Sequence, residues 1–281
     1  MSEDTKYKLD DLIELMARLR DPLDGCPWDL QQNYQSIVPS TIEEAYEVAD
    51  AIERGNYADL RDELGDLMFQ TVFYSQLASE EGLFDLEEVI STLVTKLVRR
   101  HPHVFPDGTL ASRKSDSVPS LTSSKSFEEQ RIKDNWEQIK RKERLNKGQL
   151  SVLDDIPLNL PALSRAQKTQ KRAASLGFDW QNAEQVLPKI DEELVELREA
   201  MEQQDKEAIE EELGDLFFSC VNLSRKLKLD SEQVLRKAEK KFGNRFRKVE
   251  QAVESEGFCI SDLSIEQLEA FWQKAKNKES V

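Results

Sequence analysis

A shift of 149 residues lays EEAYEVADAIERGNYADLRDELGDLMFQTVFYS (43–75) on EELVELREAMEQQDKEAIEEELGDLFFSCVNLS (192–224) without a gap, and 13 of the 33 positions are identical. A chain that repeats itself over such a span folds as two copies of one unit. Pro39 falls on Pro188 at the same shift, and Gly25-x-x-Trp28 has an echo in Gly177-x-x-Trp180. Outside the connectors the apolar pattern is helical. Leu9, Leu12, Ile13, Met16 and Leu19 form one stripe, and Leu86, Val89, Ile90, Leu93, Val94 and Leu97 form another. No run alternates with strand periodicity, so the predicted fold is all-α.

The segment DGTLASRKSDSVPSLTSSKS (107–126) holds seven Ser with almost no apolar periodicity, and reads as a solvated connector. After it Phe127, Ile132, Trp136, Ile139 and Leu145 recur at near-helical spacing until Gly148. The expected organisation is a first helical domain over 1–110 and a Ser-rich linker over 111–126. A connecting helix and loop follow over 127–160, and a second helical domain over 161–281.

Each copy carries a Glu-x-x-Glu on one helix and a Glu-x-x-Asp on the next: Glu44, Glu47, Glu63 and Asp66, then Glu193, Glu196, Glu212 and Asp215. Residues three apart project from one face of a helix, and two helices joined by a short turn pack antiparallel. The four acids of a copy then converge. One Glu-x-x-Glu alone describes a solvated helix face, but the second helix of each pair is apolar nearly all round (LGDLMFQTVF and LGDLFFSCV), a pattern expected of buried helices. This places Asp66 and Asp215 at the edge of a core, where unpaired charges are prohibitive unless a cation, a basic partner or shared protons offset them. Gly65 and Gly214, at a cost of about 1 kcal/mol in helix propensity, suggest close approach of a backbone or ligand. Oxygen-only ligands select hard cations, Mg²⁺ first and Mn²⁺ as a substitute. A di-iron bundle needs Glu-x-x-His pairs, whereas the two histidines, His101 and His103, sit in RRHPHVF. Mg²⁺ held by carboxylates typically serves substrate phosphates, so the implied chemistry is hydrolysis of a phosphoanhydride.

Charge excludes other classes. The net charge of −16 comes without a concentrated basic block, so no nucleic-acid polymer is expected as a partner. No apolar run approaches the roughly 20 residues that span a bilayer. The acidic start MSEDTKYKLDDL does not resemble a secretory signal, and a cytoplasmic location is expected. Cys26, Cys220 and Cys259, far apart and odd in number, read as buried free thiols. The acidity is regional. Residues 1–110 hold 9 basic and 23 acidic side chains, whereas 161–281 hold 20 and 24.

In its tandem acid pairs, with DGCPWD, RRHPHVFP and the connector LDDIPLNLPALSRAQKTQKRA, the chain resembles the MazG nucleoside triphosphate pyrophosphohydrolases of the all-α NTP pyrophosphatase superfamily. The resemblance covers nearly the whole length. It implies a homodimeric helical-bundle enzyme, Mg²⁺-dependent, that converts NTPs and dNTPs to monophosphate and diphosphate with broad base tolerance.

A triphosphate also needs Lys or Arg. Lys189 stands one turn before Glu193, where the first copy has Ser40. Lys241 and Arg245 share a face of the basic stretch VLRKAEKKFGNRFRKVE, whereas TKLVRRHPHVFP in the first copy offers Arg99 and Arg100 and breaks at Pro102. The resemblance puts Lys189, Lys241 and Arg245 at phosphate-binding positions and Trp272 near the base. Glu192, beside Glu193, is the candidate for activating water, with Glu43 as its echo. The second domain is therefore the expected main catalytic one. A helical regulator that binds a nucleotide or a protein without turnover is the competing class, and a pyrophosphatase restricted to one nucleotide class is the near variant.

Overall fold

The computed structural model describes residues 6–113, 125–146 and 148–278. Among these the chain forms eleven α-helices, one short 3-10 turn and no strand. Two compact units divide it, 1–136 and 137–281, with the boundary inside the connecting helix. Most of the Ser-rich connector, 114–124, lies outside the described residues.

The first unit runs α1 (Leu9–Leu19), α2 (Pro27–Gln31), α3 (Tyr34–Arg54), α4 (Tyr57–Glu80), α5 (Leu86–Arg100) and the start of α6 (Lys125–Asn146). Side-chain caps define the starts. Asn33 accepts from the amides of Gln35 and Ser36, Asn56 from those of Ala58 and Asp59, and Asp85 forms a capping box with Glu88. Gly55, at φ 68°, ends α3 in the left-handed conformation, and two residues later α4 begins, packed back along α3. Met16, Ile37, Val72, Phe73, Leu77 and Leu86 form the core between α1, α3, α4 and the start of α5. The buried guanidinium of Arg20 bridges to Glu80 at 2.7 Å and lies 5.4 Å from the ring centre of Phe73.

The second unit takes the rest of α6, then α7 (Ala162–Ala174), α8 (Leu187–Gln203), α9 (Lys206–Lys226), α10 (Ser231–Ser255) and α11 (Ile265–Lys278). Its α8–α9 hairpin repeats α3–α4, and Asp205 and Asp230 cap α9 and α10. Here the left-handed stop is Gln204, at φ 56°, without the glycine that relieves the strain. The core lies between α10 and α11, around Val249, Val253, Phe271 and Ala275. Asp179 ties to Arg225 and Lys226.

Three sequence expectations are corrected. Helices α4 and α9 are not buried all round within one chain. Leu64, Met68, Leu213, Phe217 and Phe218 are exposed, because each hairpin covers only one side of its second helix. The thiols of Cys220 and Cys259 are exposed and that of Cys26 is half-buried. Outside its own helix a β-carbon at Gly65 or Gly214 would meet no atom of the described residues within 4 Å, so among these no neighbouring backbone accounts for either glycine, and of the two expected reasons only a ligand is left.

Candidate metal centres

Each hairpin brings its acids together. In the first, carboxylate oxygens of Glu44, Glu63 and Asp66 lie within 4.8 Å of one another; in the second, those of Glu193, Glu196 and Glu212 do. The turn between the helices is tight enough to set the i, i+3 rows of both helices face to face. The fourth acid of each set stands at the margin. Glu47 is exposed and adds its charge to the surroundings of Glu44, as the exposed Asp215 does to those of Glu212. Asp66 is exposed as well, so neither aspartate occupies a core edge as expected from the apolar pattern; the side of α4 and α9 that carries them faces outward.

Crowded carboxylates resist ionisation, and the two sets do so differently. Burial, then Asp66 and Glu47, push the Glu44 carboxyl above its ordinary range, and burial with Glu47 and Asp66 does the same to Glu63. In the second set Glu212 is raised by burial, then by Glu196 and Glu193. Glu193 is the most enclosed of the eight acids at 2% exposure, and its Oε2 has no hydrogen-bond partner among the described residues. A buried acceptor left open in a ring of oxygens fits a hard cation.

Lys189 separates the two centres most clearly. Its ammonium lies 2.7 Å from Glu192 and 3.0 Å from Glu193. Hydrogen bonds to Glu192, then Glu193, hold it well above the usual lysine range. The residue sits in the first turn of α8, where the helix dipole opposes a cation, so the two glutamates offset an unfavourable position. Ser40 takes its place in the first unit.

The remaining candidates gather on α10 and α11. The Arg245 guanidinium lies 5.0 Å from the ring centre of Trp272, and Phe242, which stacks on Phe246, is 5.1 Å from the same tryptophan. Lys241 is exposed one turn before Arg245. Glu43, the echo of Glu192, is exposed on α3. Phe242 and Phe246 are the residues that sequence reasoning passed over; their four-residue spacing beside Arg245 was the available signal.

Duplicated helical hairpins, each closing an all-oxygen acid cluster, define an all-α protein built around two candidate cation centres. The MazG nucleotide pyrophosphohydrolase domain matches twice, over residues 32–105 and 181–250. A nucleoside triphosphate pyrophosphohydrolase of Escherichia coli K12 is 47% identical over 276 residues, which span 97% of this chain and 98% of the relative. The nucleoside triphosphate pyrophosphohydrolase/pyrophosphatase MazG of Thermotoga maritima is 43% identical over 267 residues, 95% of each. The chain belongs to the MazG family, and carries two copies of its domain.

Proposed function

We propose that this protein is a divalent-cation-dependent nucleoside triphosphate pyrophosphohydrolase whose main catalytic site is the second acid set, and that it turns (d)NTP and water into (d)NMP and diphosphate. The names carried by its full-length relatives support the reaction. The observation that carries the choice of site is the buried Glu193, open at Oε2 and paired through Oε1 with Lys189.

Glu193, Glu196, Glu212 and Asp215 would hold Mg²⁺, with Mn²⁺ as an alternative, and the cation would offset phosphate charge and lower the pKa of a bound water. The first set, Glu44, Glu47, Glu63 and Asp66, is a cation site of the same donor type. Lys241 and Arg245 donate to phosphate oxygens, and the planar guanidinium of Arg245 suits paired contacts. Trp272 offers a face to the base; stacking accepts any base, in keeping with broad tolerance. Lys189 holds Glu192 and Glu193 in register. Glu192 takes the proton as the water oxygen bonds to the α-phosphorus; the bond to the α,β-bridging oxygen breaks, and diphosphate leaves with that oxygen. The apolar stripes Leu64–Met68 and Leu213–Phe217–Phe218 support a homodimer that covers them. No described helix is long and apolar enough to cross a membrane, and a cytoplasmic location suits a nucleotide substrate.

Hydrolysis in ¹⁸O-labelled water tests the reaction. Label in the monophosphate is expected; label confined to diphosphate would place the attack on the β-phosphorus and refute this mechanism.

A further inference from the structure

The two units agree beyond their acid hairpins. Aligned on their caps, Asp85 and Asp230, helices α5 and α10 are related by a shift of 145 rather than 149. In that register Lys96 falls on Lys241, Arg100 on Arg245 and His101 on Phe246. Matching Trp136 of α6 with Trp272 of α11 sets Ile132 on Leu268 and Lys140 on Lys276. Each tryptophan also packs on a ring at the basic helix, one turn apart in this register: Trp136 lies against His101 with ring centres 5.9 Å apart and planes tilted by 48°, whereas Trp272 lies against Phe242, the counterpart of Leu97, at 5.1 Å and 41°. The imidazole of His101 is fixed by a 2.6 Å contact from Nδ1 to the Leu97 carbonyl oxygen, and His103 packs on its ring at 5.6 Å. Basic residues in the last turn of α5 would answer the helix dipole. The dipole gives no reason for a tryptophan on the adjoining imidazole, nor for the same Lys-x-x-x-Arg spacing as in α10.

We infer that the first unit has its own nucleoside-phosphate site, with Lys96 and Arg100 as phosphate donors and Trp136 with His101 as the base platform. The inference rests on the proposed roles of Lys241, Arg245 and Trp272. With Ser40 in place of Lys189, the first unit lacks the cation that holds the second unit's glutamates in register, and its affinity is about tenfold below that of the second site.

Calorimetric titration of the full-length protein with Mg²⁺ and the α,β-imido analogue of ATP tests it. Two equivalents per chain are expected, the weaker lost in K96A/R100A and the tighter lost in K241A/R245A. W136F keeps an aromatic ring in the fold and should weaken only the weaker event, as W272F should weaken only the tighter. One equivalent per chain, removed by K241A/R245A and indifferent to K96A/R100A and W136F, would overturn the first-unit site while leaving the proposed function intact. No binding at all would overturn both. A parallel titration with AMP should reach both sites more weakly, since it brings fewer phosphate oxygens to the same donors.

Discussion

The two acid hairpins of this chain share sequence and the side-chain cap of their second helix, yet they differ in which acids converge and in how their charge is compensated. In the first, Glu44 and Glu63 are both pushed toward the protonated form, and Ser40 offers no cation. In the second, Lys189 sits on Glu192 and Glu193, and Glu193 is almost fully enclosed. Lys189, in the first turn of α8, thus offsets charge that the first cluster leaves to its own crowded carboxylates. The regional charge agrees, since the excess of acids is far greater in the first 110 residues than in the last 121.

The largest effect should come from removing divalent cation: chelation should abolish diphosphate release, and Mg²⁺ or Mn²⁺ should restore it. Replacement of Lys189 by Ala should lower the rate by about 10- to 100-fold, the worth of one charge-assisted hydrogen bond, whereas Ser40→Ala should leave it within about twofold. Equal losses would show that the lysine does not set the two centres apart.

The ties that hold each unit should separate next. Arg20, through its hydrogen bond to Glu80, holds that carboxyl below its usual range. Its contribution is therefore complete above the unfolded value of about 4.3 and is lost as pH falls through the lower folded value. Burial works against Asp179, but hydrogen bonds from Arg225 and Lys226 outweigh it, so the second unit loses this support in the same acid window. Glu80→Gln should cost the first unit about 1–2 kcal/mol at neutral pH and flatten its stability profile below pH about 4. Chemical denaturation read at several pH values checks this, and an unchanged acid profile would contradict it. The smallest expected effect is a gain: Gln204→Gly should stabilise the second unit by about 1 kcal/mol, because it relieves the left-handed stop that Gly55 already relieves in the first.

Much of this was legible in the residues. The ungapped 149-residue shift finds the acid hairpins because both turn at the same place, Gly55–Asn56 against Gln204–Asp205. It misses the pairing of α5 with α10, since α4 and the loop after it are together four residues longer than α9 and its loop. In that shift Arg99 and Arg100 stand apart from Lys96, and Trp136 reads only as part of a connecting helix. Exposure is hidden from the sequence for a different reason. An apolar helix reads as buried whether its cover comes from its own unit or from another surface, and periodicity does not distinguish the two. The burial of Glu193 over its neighbours depends on packing of α8 on α9 that spacing does not encode.

If the second acid set carries the hydrolysis, reciprocal variants of the full-length protein separate the two sets. With Mg²⁺ and saturating NTP, Glu193→Gln with Asp215→Asn should reduce diphosphate release by at least about a hundredfold, while Glu44→Gln with Asp66→Asn should retain most of it. Loss in the first-set variant with a near-normal rate in the second-set variant would contradict the account.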